Sequence, residues 1–291
     1  MASFMVPVDD ELAKLAYGVL TYNVIDRTIF SFRAYAILEH GDINAIEKML
    51  GIKGHNGVCP CCSCKIQGIR DIAGHEKVYY VPLTTPDIDH QTRPSVDPWA
   101  LSLRKHEDFA SVLQQMAAAT TKKAREDIAK ANGIRNAPAL CRVGSLNHAK
   151  SNPWEWLHLF CENVIPNLFR LWTGSYKQLD TGTEAYEIPE HIWEQIGEET
   201  ASAVKNIPLS FVRVLGNIVQ DRSTYTAELW GFWFMYLALI LLKGRFTDNK
   251  YYHHMIALVK IMKTTLKFEL TMTEIDAMEE EVACWVELYE E

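Results

Sequence analysis

Residues 28–51 read TIFSFRAYAILEHGDINAIEKMLG, and residues 54–71 read GHNGVCPCCSCKIQGIRD. Residues 28–42 carry the β-branched and aromatic side chains of a strand that closes on Gly41 and Asp42. Residues 43–50 then predict a short helix ending at Gly51. An acid at the point where a buried strand turns into a helix has two ordinary uses. It caps the helix, or it presents a carboxylate to a site. The second stretch places four of the chain's seven cysteines, Cys59, Cys61, Cys62 and Cys64, within six positions. Two C-x-x-C pairs interleave there, Cys59 with Cys62 and Cys61 with Cys64. Disulfides across so short a span are strained, and clustered thiols in a reducing compartment more often hold a metal.

The surrounding chain supports that compartment. MASFMVPVDDELAKLAYGVL at the N-terminus lacks the basic and apolar regions of a secretory signal. Cys141, Cys161 and Cys284 are scattered, which predicts buried free thiols. The most apolar run, LWGFWFMYLALILL from Leu229 to Leu242, is shorter than the ~20 residues of a membrane-spanning helix. It predicts a helix buried in protein, with Trp230, Trp233 and Phe234 in its core. The expected location is nuclear or cytoplasmic, with no membrane partner. A formal net charge of −8 on 291 residues argues against nonspecific nucleic-acid binding by the whole surface.

Further along, KVYYVPL (77–83) predicts a strand, and the proline-rich residues 84–98 a surface loop. Residues 105–132 predict a helix with Gly133 as its C-cap. From 151 onward the chain reads as helical. Pro189 stands near the start of one helix, and Thr271 with Glu274 has capping-box spacing at the start of another.

Three blocks, in collinear order, resemble the Tnp2-like transposases of fungal CACTA-type DNA transposons. The first is RAYAILEHGDINAIEKMLGIKGHNGVCPCCSCKIQGIR. The second is YYVPL with VDPWALSLRKHEDF, and the third is NPWEWLHLFCENVIPNLFRLWTGSYK. The helical remainder, including HIWEQIG, YTAELWGFWFMYLALILLKGRF and KYYHHMIALVKIM, is similar to the family as well. The resemblance implies an α/β plus all-α chain. Residues 1–158 would hold part of an RNase H-like core interrupted by a zinc-binding insertion at about 54–106, and residues 159–291 a helical insertion. It implies DNA, specifically transposon ends, as partner, with a homo-oligomer as the working form.

The implied chemistry is DNA cleavage and strand transfer by two Mg²⁺ ions held by three acids. Clustered carboxylates are required because two close divalent cations must clamp the attacking and leaving oxygens. Asp42 matches the family's first acid. Glu155 stands where the family has an aspartate, and Asn44 replaces a proline. The family's third acid falls in a segment past the one that Glu291 reaches, which implies a truncated and inactive enzyme. The alternative is a non-catalytic, zinc-stabilised DNA- or protein-binding module.

For zinc, a C-x-x-C turn supplies two ligands of a tetrahedron. The fungal pattern matches Cys61 and Cys64, and the plant-like pattern matches Cys59 and Cys62. His106 is the expected further ligand, with His55 and His75 as nearer alternatives; a metal-free, redox-inert cluster is the bland reading. Glu155 has its own bland reading, an acid paired with a basic neighbour. Lys260, Lys263 and Lys267 share a helical face that suits either DNA phosphates or plain solvation. Lys122, Lys123 and Arg125 present the same choice.

Overall fold

A computed structural model describes residues 2–70, 79–84, 95–176 and 184–291. The chain is mostly helical with small two-stranded sheets, and it divides into two compact units, Met1–Glu155 and Trp156–Glu291.

The first unit opens with α1 (Ala2–Tyr17), followed by β1 (Val19–Asn23) and β2 (Thr28–Phe32). These strands form an antiparallel hairpin with Val19 opposite Phe32 and Asn23 opposite Thr28. Asn23 shapes the turn, its side-chain oxygen accepting from the Ile25 N–H at 3.0 Å. The hairpin is exposed along β2, and Leu20 and Ile29 are 80% and 71% accessible. The strand expected over 28–42 therefore ends at Phe32. Past that point the chain joins no ladder, because its backbone bonds go elsewhere: Ala34 N–H to Leu15 and Glu39 N–H to Ser151.

Next comes α2 (Ile43–Met49), capped by Asp42 and closed by Leu50 before Gly51 in the left-handed region (φ 65°). The cysteine segment leads to β3 (Ile69–Arg70), antiparallel to β4 (Tyr79–Tyr80). β4 falls within the expected strand 77–83, and residues 85–94 of the expected loop lie outside the described residues.

The single helix expected over 105–132 is two, α3 (His106–Ala118) and α4 (Lys122–Asn132). Ala119 turns to extended backbone, and Thr121 begins afresh by accepting the Ala124 N–H at 3.1 Å. A threonine at this position competes with helix continuation because its hydroxyl replaces an intrahelical acceptor. Apolar side chains of Ile46, Leu50, Ile52, Cys62, Phe109, Val112 and Ile134 form the core beneath these elements. Leu140, Val143 and Leu146 form a smaller second cluster.

The second unit begins with a π-helical stretch, Leu157–Val164, continuing as α5 (Ile165–Trp172). Ile165 N–H bonds to Phe160, five residues back, just before Pro166. A proline inside a helix lacks its own donor and crowds the carbonyl four residues earlier. The wider π turn accommodates it. α6 (Glu190–Ala203) starts after Pro189. α7 (Ala227–Phe232), a π turn at Trp233–Leu237 and α8 (Ala238–Leu241) make the apolar helix. α9 (Asn249–Thr265) and α10 (Met272–Glu290) pack together, the latter opened by the Thr271–Glu274 capping box.

Trp230, Trp233 and Phe234 are buried as the sequence predicts, while Tyr236 and Ile240 on the same helix face outward. α7 approaches the π stretch at Gly231, where a Cβ would stand 2.9 Å from Cys161 Sγ. Cys161 is buried as expected; Cys141 and Cys284 are exposed, contrary to expectation. Cys141 sits in an irregular turn and Cys284 on α10, where little apolar packing covers them. Among the described residues no helix is long and apolar enough to cross a membrane.

Candidate metal centre

The cysteine knuckle is fastened from both sides. Cys64 forms an antiparallel bridge with Leu103, flanked by Lys65 N–H to Ser102 O at 2.8 Å and Arg104 N–H to Ser63 O at 2.9 Å. On the other side, Lys53 N–H bonds to Gly133 O at 2.7 Å. The segment 102–104, singled out in sequence only as the approach to His106, is thus the knuckle's strand partner.

Within this frame the thiols separate into two roles. Cys61 accepts the backbone N–H groups of Ser63 at 3.3 Å and Cys64 at 3.2 Å. The Cys62 and Cys64 thiols also bond to it, and together these donors hold Cys61 well below the usual thiol range despite burial. Cys62 and Cys64 are pushed up, first by donating to Cys61 and then by burial. Cys59 turns away, its thiol donating to Ala131 O at 3.0 Å, and burial pushes its pKa up. The structure therefore gathers Cys61, Cys62 and Cys64 and directs Cys59 elsewhere.

The histidines expected to help are engaged. His106 starts α3, where its Nδ1 accepts the His148 N–H at 3.2 Å and its ring stacks on His148 with centroids 4.8 Å apart. His55 Nδ1 lies 3.1 Å from Glu47 and its Nε2 2.6 Å from Asn56. His75 lies outside the described residues. Among the described residues, no group of three or more His, Cys, Asp or Glu side chains closes into a metal shell. The three thiols fit a soft or borderline cation by donor chemistry, with backbone N–H groups already aimed at one sulfur.

The residue that sequence reasoning missed is Arg104. It is 4% exposed and spans the knuckle: Nε donates to Cys61 O at 2.9 Å, Nη2 to Cys59 O at 3.4 Å, and Nη1 to Asn132 O at 2.9 Å. Its only sequence signal was membership in the SLRKHEDF block, where the histidine drew the attention.

The carboxylates lie apart from the knuckle in sequence. Asp42 is half-buried at the head of α2, its Oδ1 accepting the Ala45 N–H at 2.6 Å, so it serves as the helix cap. Glu155 is half-buried and immediately precedes the helical residue Trp156. The segments upstream of the two acids meet, since Glu39 N–H bonds to Ser151 O at 2.7 Å. Burial pushes the Glu39 carboxyl up, opposed by a hydrogen bond from Asn152. Glu39 is a further acid of this neighbourhood that the sequence did not single out.

The lysine faces have local partners. Lys260 pairs with Glu281, Lys267 with Glu274 at 2.8 Å, and Lys263 lies 5.1 Å from the Tyr236 ring centroid. Lys122 pairs with Glu126 at 3.8 Å. No known protein family, curated protein or solved structure matches this chain.

Proposed function

We propose that the chain is a transposase-derived protein related to the Tnp2-like enzymes, whose ancestral activity is metal-dependent DNA cleavage and strand transfer at transposon ends. In this reading, residues 54–106 are a zinc-stabilised insertion in a partial RNase H-like core. The observation that carries it is the knuckle: three converging thiols, one favoured as thiolate, pinned by the segment around Arg104. This lies in the block that resembles the family's zinc insertion. The link between the segments of Asp42 and Glu155 supports their role as the pair that would hold Mg²⁺. When bound, such ions would supply Lewis-acid stabilisation of oxygen charge.

One observation favours a second reading, a non-catalytic zinc-stabilised module that binds DNA or protein. Asp42 is committed as a helix cap, and the lysine faces spend their charge on neighbouring acids and a ring. Residues 1–291 offer two of the family's three acids, and two-metal chemistry needs the whole set.

Two measurements separate the readings. Elemental analysis of the purified chain should give about one zinc per chain, lowered by replacing Cys61 and Cys64 but not Cys141. Supercoiled plasmid and duplexes carrying transposon ends should survive incubation with Mg²⁺ or Mn²⁺. Metal-dependent nicking abolished by Asp42→Ala would defeat the inactive reading. If Mn²⁺ binding followed by electron paramagnetic resonance is indifferent to both Asp42→Asn and Glu155→Gln, the paired-carboxylate assignment fails.

A further inference from the structure

Arginine keeps its positive charge under all ordinary conditions, and a buried charge is costly unless matched. The guanidinium of Arg104 is buried, and its three hydrogen-bond acceptors are neutral backbone carbonyls. Asp108 is the nearby carboxylate that feels its field, but Asp108 is taken by Lys65 Nζ at 2.8 Å and by the Lys105 N–H at 2.7 Å. Lys65 and Asp108 cancel, so one positive charge is left beside the knuckle. Two of its three acceptors are the carbonyls of Cys59 and Cys61. The negative charge that faces it must come from sulfur.

We propose that Arg104 is the built-in counter-ion of a three-thiolate site made by Cys61, Cys62 and Cys64, which takes a soft or borderline divalent cation, zinc first, and leaves Cys59 outside the shell. This rests on the zinc reading given above and extends it to the number and charge of the ligands. A divalent cation with three thiolates carries one negative charge, which matches one guanidinium. A fourth thiolate would add a second negative charge that no other buried cation meets, so the fourth donor is neutral, an imidazole or a water. Cys59 already has a different task, since its thiol donates to Ala131 O at 3.0 Å and secures the end of α4. Arg104 is a positioning residue. It touches carbonyls, and acts on the metal through charge and through the backbone that carries the cysteines.

The test uses the full chain with zinc, and with Co²⁺ as a spectroscopic substitute. Cys61→Ser, Cys62→Ser and Cys64→Ser should each reduce the thiolate-to-cobalt charge-transfer band, and Cys59→Ser should leave it intact. Zinc affinity, read by competition with a chromophoric chelator, should fall about 10–100-fold in Arg104→Gln, the range for residues that support metal ligands. Arg104→Lys keeps the charge but loses the planar fork, and should bind zinc more tightly than Arg104→Gln. A purely structural role, resting on the fork's hydrogen bonds, would not give that order. Equal affinity of Arg104→Gln and the unchanged chain overturns the proposal. So does a cobalt band lost as fully in Cys59→Ser as in Cys61→Ser, and the cysteine series decides the matter even if the Arg104 variants do not fold. If the unchanged chain binds neither zinc nor cobalt, it is the zinc reading itself that fails. Zinc binding that is indifferent to Arg104 removes only the counter-ion.

Discussion

Gly133 shows how narrowly the knuckle is fitted to its neighbours. It ends α4 in the left-handed region at φ 70°, and a Cβ there would stand 2.3 Å from Cys59 O and 3.2 Å from Arg104 Nη2. The backbone oxygen cannot retreat without moving the knuckle. Gly133→Ala should therefore cost more than about 1 kcal/mol, as alanine does where glycine is forced to positive φ. Urea unfolding of the two proteins would show it, and an unchanged midpoint would mean that the junction is loose. Asp42 allows a finer separation, because its two possible roles ask for different chemistry. As a cap it needs an oxygen acceptor for the Ala45 N–H, which asparagine also provides. As a metal ligand it needs its negative charge. Asp42→Asn should thus hold stability close to that of the parent while Asp42→Ala loses ~1 kcal/mol. A loss in Asn as large as in Ala would show that the charge, and not the cap, holds this corner.

At the scale of elements, α9 and α10 are joined by a polar contact as well as by packing. The His254 ring stacks on Trp285 at 4.6 Å between centroids, its Nε2 lies 2.9 Å from Trp285 O, and Trp285 Nε1 donates to His254 O at 3.1 Å. Burial lowers the His254 pKa, opposed in part by the Trp285 carbonyl. With the folded value depressed below about 6.5, the unfolded chain takes up the proton first as pH falls. Stability is therefore full above that value and declines below it, until the folded imidazole protonates as well. His148, lowered by burial and by His106, adds to the same slope. The urea midpoint should drop between about pH 7.5 and about pH 5.5, and His254→Gln should flatten part of the drop. A slope unchanged in that variant would remove His254 from the account. The caps of these helices were legible in sequence because their signals are local: Thr271 with Glu274, Gly133 after α4, Asp42 before α2. What was not legible depended on distant partners. No run of β-branched residues reveals that Glu39 will bond to Ser151 in place of a neighbouring strand. Nor does an arginine three residues before Glu107 announce that it will be buried against cysteine carbonyls. The break between α3 and α4 had a local signal, Thr120–Thr121, that the helical periodicity on both sides outweighed.

At the scale of the whole chain, the two units are held by different means. Residues 156–291 enclose an apolar cluster in which Ile165, Ile196, Trp233, Phe234 and Met255 are fully buried. Its rings lock one another, with Trp172 stacked on Phe234 and Phe169 set between Trp193 and Trp230. Even its buried hydroxyl is satisfied, Thr200 accepting from Trp233 Nε1 at 3.1 Å and donating to Ile196 O at 2.7 Å. Residues 1–155 divide their apolar burial between two smaller clusters, one of which includes Cys62. A unit with less continuous core depends more on ties of other kinds. Here they are the buried Asp9 carboxylate 2.6 Å from Arg142, the three bonds of Arg104, and the knuckle. If zinc sits at that knuckle, its binding free energy is folding free energy for this unit. Calorimetry of the full chain should then resolve two transitions. Chelator should lower the one that belongs to residues 1–155 and leave the other in place, and added zinc should restore it. Hydrogen exchange read by mass spectrometry would assign the transitions, with protection lost around Val58–Gln67 and Leu101–Lys105 before α5 or α9. A chelator that lowers both transitions equally, or moves neither, would show that metal is no structural part of the first unit.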